Sequence, residues 1–184
     1  MKKIPKIIIT PGEPSGIGYD IILDVPKRSF TANLISIASI DILKERADLL
    51  EKKINIIEVN INDNNFPIPN ENDILVHNIK NFDEVEIGAP NIKHVPLILE
   101  SLDIGIRACL NKIADAIVTG PVQKSIIMEY GKNFSGHTEY IAHKTKSEPI
   151  MMLHTKNLKI ALLTTHVPLR DVPKLITKNR LEKY

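Results

Sequence analysis

An α/β fold with a largely parallel sheet and flanking helices is the class this sequence predicts, on three observations. Short runs rich in Ile, Leu and Val alternate with longer runs of helical period. Gly/Pro loops follow the apolar runs, and capping residues open several of the helical ones. The chain is 184 residues long with few aromatics and no tryptophan, so it can bury a genuine core and must build it mainly from aliphatic side chains.

The elements follow in order. "KIIIT" (6 to 10) reads as a buried strand, then comes a Gly/Pro loop and a helix over about 17 to 28. "NLISIAS" (33 to 39) predicts a second strand, and "SIDILKERADLLEKK" an amphipathic helix capped by Ser39 or Asp41. "INIIEVN" predicts a third strand. The stretch "NINDNNFPIPNENDI" is a loop, and "ILVHNI" a further strand. From Asn91 to Lys112, Ile98, Leu102, Ile106 and Leu110 recur every four residues after Pro90, a stripe that should lie on a sheet. "DAIVTG" (115 to 120) is the next strand. "PVQKSIIMEYG" then reads as a helix with Pro121 at its first position and Gly131 at its end. "PIMMLH" and "LKIALLTTH" are two more strands, leading into "VPLRDVPKLIT".

Composition removes several functions. The 24 Lys and Arg nearly balance the 22 Asp and Glu, so no overall field draws the chain to nucleic acid or to a membrane surface. "MKK" is followed by an apolar stretch too brief for a secretory or membrane segment before "TPGEPSG" interrupts it, and a cytoplasmic protein is expected. The single cysteine, Cys109, cannot form an internal disulfide and sits at helical spacing with Leu102 and Ile106, a packing position.

Three loops concentrate the unusual residues, each after an apolar strand, where open α/β sheets hold their ligands. In "TPGEPSGIG" (10 to 18) the glycines do not match G-x-G-x-x-G, and no G-K-[ST] completes a phosphate loop. A tight turn and a backbone N–H cradle for an anion both remain open. In "VTGPVQKSIIMEYGKNFSGHTEY" (118 to 140), Lys124 opens a helix, where the dipole disfavours a cation unless an anionic partner binds; a solvated lysine is the alternative. Thr138 or Ser135 can cap a helix from about Glu139, but a cap does not require His137. In "ALLTTHVPLRDVP" (161 to 173), His166 is expected at the end of an apolar strand, as a metal ligand, an acid/base or a rim histidine. Asp171 can orient it or pair with Arg170. His77, His94, His143 and His154 show no ligand spacing and read as surface or packing residues.

Taken in order, "ITPGEPSGIG", "VTGPVQK", "FSGHTEY" and "MMLHTKNLKIALLTTHVPLRDV" closely resemble the 4-hydroxythreonine-4-phosphate dehydrogenase family of vitamin B6 biosynthesis, from about Lys6 to about Thr177. The resemblance implies an isocitrate/isopropylmalate-dehydrogenase-like fold, with residues 1–125 in a first α/β domain and 126–184 the start of a second. It implies a homodimer whose cleft borrows residues from both subunits. The implied reaction is NAD- or NADP-dependent oxidation of 4-phosphooxy-L-threonine, a small phosphorylated hydroxy-amino acid, assisted by a divalent metal (Zn, Mg or Co). Decarboxylation then gives 3-amino-2-oxopropyl phosphate. Matched by motif, His137 and Thr138 are the substrate-binding pair and His166 is the first metal ligand, with Lys124 added as a substrate contact. Two further metal histidines, in Asn-Pro-His-Ala-Gly-Glu and Tyr-His-Asp-Gln motifs, have no counterpart in these residues, so the chain is expected to be truncated before the C-terminal half. Tyr19-Asp20 stands where many family members have Pro-Glu, keeping the acid and losing the proline. The implied alternatives are a dehydrogenase for threonate or erythronate phosphate, and a non-catalytic module that binds a phosphorylated ligand or a partner.

Overall fold

A computed structural model describes residues 4–27, 30–63, 65–81 and 83–183. The opening "MKK", the end of the expected first helix at Arg28, Asn64 of the polar loop and the terminal Tyr184 lie outside the described residues. The chain divides into two compact units, Met1–Ile141 and Ala142–Tyr184.

The first unit is built on five strands: β1 (Lys6–Thr10), β2 (Asn33–Ala38), β3 (Asn55–Glu58), β4 (Asp73–Asn78) and β5 (Ala116–Thr119). All pair in parallel in the order β3-β4-β2-β1-β5, with Ile8 of β1 level with Ile35 of β2 and Ile117 of β5. The chain leaves β1 toward β2 on one side and returns to β5 on the other. The carboxyl ends of β1 and β5 therefore form the point at which strand order reverses, where such sheets open a crevice.

The helices of this unit are α1 (Gly18–Ile22), α2 (Ile40–Leu49), α3 (Val95–Leu110), α4 (Lys124–Glu129) and α5 (His137–Thr145), the last running on into the second unit. Ser39 is the N-cap of α2, its Oγ accepting from the Ile42 N–H at 3.4 Å, while Asp41 lies in the first turn. The first helix is shorter than its periodicity predicts. It stops at Ile22, and a 3-10 turn over Val25–Lys27 follows, because Pro26 has no N–H to continue the ladder. The expected stripe on α3 is buried at Ile98, Leu102 and Ile106, whereas Leu110, at the helix end, is about half exposed. Cys109 packs, partly buried, on the main cluster, and burial raises its thiol pKa.

Two apolar clusters hold the unit together. The larger joins Ile8, Ile35, Ile37, Leu75 and Val76 of the sheet to Tyr19, Ile22, Leu43 and Ala47. The smaller joins Val95, Ile98 and Leu102 of α3 to Ile126 and Ile127 of α4 and to Phe134. Asp20, the acid retained after the Gly-Ile-Gly turn, meets Arg46, which is 4% exposed. Tyr19, in the other departing position, is fully buried.

The second unit carries a two-stranded antiparallel hairpin, β6 (Met151–His154) and β7 (Lys159–Leu162), a 3-10 turn over Leu169–Asp171, and two short helices, α6 (Val172–Leu175) and α7 (Lys178–Lys183). No described residue from Ala142 onward is buried. Met152, Leu153 and Leu169 are 57%, 53% and 85% exposed. Glu148 ties the unit's beginning to its end through Lys183 at 2.7 Å and Arg180 at 3.6 Å.

Candidate functional site at the strand ends

The loop after β1 lies against the loop after β5, backbone on backbone. Glu13 N–H donates to the Pro121 carbonyl at 2.9 Å, and Gly120 N–H donates to the Thr10 carbonyl at 2.7 Å. Glycine is required at this seam. At Gly12, which has φ +80°, a Cβ would collide with the Pro121 carbonyl, and at Gly120 one would collide with the Pro11 carbonyl. The bland explanation of the Gly/Pro loop, a tight turn, thus holds for Gly12, and its physical cause is close approach between loops. Arg46 Nη2 fastens the far side, donating to the Gly16 carbonyl at 2.6 Å and to Asp20 Oδ2 at 3.1 Å.

Pro121 does not open a helix, as its sequence position suggests. Its carbonyl is committed to Glu13, Gln123 is extended (φ −86°, ψ 101°), and α4 begins at Lys124. Gly131, with φ +86°, does end that segment as expected. Lys124 is exposed at the head of α4, and its Nζ lies 3.6 Å from where a Cβ on Gly136 would sit. The next residue is His137, where α5 begins, two residues before the expected start, leaving Thr138 exposed and Glu139 in the first turn.

His137 is half-buried, edge-on to Phe134 with ring centroids 5.6 Å apart. Its Nε2 is buried and has no hydrogen-bond partner. Burial first, and the Lys124 ammonium second, hold its pKa below the ordinary histidine value. The ring is therefore neutral near pH 7, with one nitrogen able to donate and the other to accept. Replacing Lys124 with Met should raise the His137 titration midpoint, still short of about 6.5 because burial persists. Proton NMR of the ring C–H signals reads this directly; an unchanged midpoint contradicts the coupling. In the window below about pH 6.5 the unfolded chain takes up a proton that folded His137 refuses, so stability falls as pH is lowered through it.

His166 lies elsewhere in the fold than the apolar run predicts. β7 ends at Leu162, because its partner β6 supplies only Met151–His154, and the hairpin is exposed. His166 follows in a bend with φ +57°, exposed to solvent. It is thus not at the tip of a core strand. Asp171 pairs with Lys174 at 3.1 Å and lies 3.8 Å from Arg170, the pairing alternative. Among the described residues no group of three or more His, Cys, Asp or Glu stands close enough to hold a metal ion. His166 by itself does not fit a metal centre, which needs about three protein ligands to fix its geometry.

Two residues that matter here were not singled out by sequence pattern. Glu13 is 4% and His94 1% exposed, and they face each other across 3.8 Å. His94 takes the packing side of the surface-or-packing expectation shared with His77, His143 and His154, and adds a buried carboxylate neighbour to it. His77 is part-buried against the Val59 carbonyl at 3.3 Å, and the other two are exposed. A carboxylate set between Gly12 and Pro14 was the available signal for Glu13; nothing local marked His94. A separate hollow of about 720 Å³, lined by Ile4, Phe30, Leu34 and Ile74 among others, sits at the amino ends of β2 and β4. It opens at the opposite strand ends from these loops.

A parallel sheet whose reversal point carries two interlocked glycine loops is an open α/β domain, the class that opens a crevice at its strand ends. The model of the family described as pyridoxal phosphate biosynthetic protein PdxA matches residues 30–184, and the chain belongs to that family. It is 39% identical over 179 residues to a 4-hydroxythreonine-4-phosphate dehydrogenase of Pseudoalteromonas translucida, covering 97% of this chain and 54% of that one. It is 37% identical to the enzyme of the same name from Vibrio cholerae, with the same coverage. The crystal structure of a 4-hydroxythreonine-4-phosphate dehydrogenase from Burkholderia phymatum has the same fold, with a TM-score of 0.88 over 99% of this chain and 56% of that one, at 19% identity. The chain spans about half the length of the curated relatives it matches. No helix among the described residues is long and apolar enough to cross a membrane.

Proposed function

We propose that this chain contributes the substrate half-site of a PdxA-type dehydrogenase, acting in the cytoplasm on 4-phosphooxy-L-threonine with NAD or NADP. The observation that carries it is the buried, unpartnered Nε2 of His137 beside Lys124. An unpaired polar atom held out of water is costly unless a ligand completes it. In this reading the neutral imidazole hydrogen-bonds a substrate hydroxyl, exposed Thr138 adds a second polar contact, and Lys124 neutralises an anionic substrate group. A nicotinamide cofactor, when bound, would supply the hydride acceptor, and these residues would hold the alcohol for it.

The same proposal has a second domain begin within 126–184, its own compact part running from Ala142 onward, and makes His166 one donor of a divalent-ion site (Zn, Mg or Co) that other polypeptide completes. The homologous length not spanned by this chain, and the apolar side chains exposed on the hairpin, both support it. The homodimer of the family belongs to this proposal too.

A second reading is binding of a phosphorylated ligand or a partner without catalysis, for which the same His137 and Lys124 would suffice. Calorimetry with 4-phosphooxy-L-threonine decides between them. The half-site reading expects weak binding by the chain, reduced at least tenfold in His137→Ala and strengthened by divalent ion only after the missing half is supplied. Tight, metal-indifferent binding favours the binding module. Binding that His137→Ala leaves unchanged removes the proposed site. Threonate phosphate in the same cell tests the sugar-acid alternative.

A further inference from the structure

Glu13 and His94 are both more than nine-tenths buried, yet neither is satisfied by the bonds it makes. Glu13 Oε1 accepts from Ser15 N–H at 3.3 Å and from Ser15 Oγ–H at 3.0 Å, while Oε2 is buried with no partner. His94 Nε2 lies 3.1 Å from the Glu84 carbonyl, and Nδ1 is buried without a hydrogen bond, 3.8 Å from Glu13 Oε1.

The chemistry of these atoms decides where protons sit. A carbonyl oxygen only accepts, so Nε2 must be the donor toward Glu84, and a neutral His94 then turns a bare Nδ1 lone pair toward the carboxylate. Two lone pairs facing each other in a buried space repel, and an uncompensated buried carboxylate is costly because it has lost its hydration. One additional proton removes both problems. On Nδ1 it makes an ion pair; on Oε1 it makes a neutral acid donating to imidazole. In either form the pair has zero net charge and a small closure of the 3.8 Å gap completes the bond.

We infer that Glu13 and His94 share one proton as a buried, charge-neutral pair, and that they are positioning residues for the loops that carry Lys124. The neighbours are consistent with this role. Fully buried Tyr19, in α1 just after this loop, stays protonated because burial pushes its phenol pKa up, so it adds no charge beside the pair. The Arg46–Asp20 pair holds the same loop at Gly16, and Gly88 N–H donates to the Ser15 carbonyl at 2.8 Å. From His94 a connected route runs through Glu13 to the Pro121 carbonyl, and from there to the head of α4 and Lys124. His94 also leads directly into α3, which packs on α4 and Phe134.

This inference concerns proton placement in the folded chain. It can therefore fail or hold independently of the dehydrogenase reading, although the loops it positions are those of that proposed site. The test is a nitrogen-15 spectrum of the imidazoles in the full chain near pH 7.5, with His94 assigned by its loss in His94→Gln. The expected result is a His94 Nδ1 that is protonated or strongly hydrogen-bonded while Nε2 carries its own proton. In Glu13→Gln, His94 should become an ordinary neutral ring at the same pH, and the amide signals of Gly12 and Gly120 should shift with it. A bare Nδ1 in the parent chain overturns the shared proton. Unmoved glycine signals in a folded Glu13→Gln chain overturn the positioning role. Should Glu13→Gln fail to fold, the parent spectrum decides the first point, and the glycine amides of His94→Gln decide the second.

Discussion

Replacing Phe134 with alanine should lower the unfolding free energy by about 3–5 kcal/mol, the range for truncating a buried phenylalanine. Phe134 is 1% exposed and closes the cluster of Val95, Ile98, Leu102, Ile126 and Ile127, so its loss leaves a cavity that rigid helices on two sides fill poorly. The ring also shields His137 from water and lies 5.4 Å from the Tyr140 ring, which α5 anchors to Asp103 through a 2.7 Å hydrogen bond. The same substitution should therefore raise the His137 titration midpoint as water reaches the imidazole. Urea unfolding followed by circular dichroism gives the first quantity and NMR titration the second. A loss below about 1 kcal/mol would show that this cluster does not organise the α4 to α5 region.

Arg46→Met should cost about 3 kcal/mol, the low end for breaking a buried ion pair, because Asp20 keeps some contact with solvent. Arg46 Nε lies 2.8 Å from Asp20 Oδ1 but off the line of a hydrogen bond, so the directed bonds are those from Nη2 to Asp20 Oδ2 and to the Gly16 carbonyl. The methionine replaces the packing of the stem and none of these bonds. Asp20→Asn in the same chain removes the stranded charge and should recover part of the loss, so the double variant is less damaged than the sum of the singles. Additive losses in chemical denaturation would show that the two side chains act separately.

The five parallel strands, the Ser39 cap and the Gly131 stop were legible because each is written in a few neighbouring residues: an apolar run, a hydroxyl before a helix, a glycine free to take positive φ. What was illegible depended on partners distant in sequence. "LKIALLTTH" is apolar without a break, but a strand lasts only as long as its neighbour, and β6 pairs with four residues of it. That is why His166 stands beyond the strand rather than at its tip. Pro121 has the local signature of a helix start, yet its carbonyl is taken by Glu13 from the loop after the neighbouring strand. His137 and Thr138 are legible as a pair because they adjoin in a short motif at a helix start, and the fold adds Lys124 beside His137. The Glu13 and His94 contact joins a loop to a helix entry far along the chain, and no local pattern announces such a pairing.

The proposed substrate half-site needs further polypeptide to complete its chemistry, and turnover tests this most directly. Reduced nicotinamide formation from 4-phosphooxy-L-threonine should be measured with the purified chain alone, and with the chain mixed with the C-terminal half of a curated relative and a divalent ion. The account predicts no turnover from the chain alone and clear turnover from the mixture, lost again in His137→Ala. Equal, robust turnover by the chain by itself would contradict it.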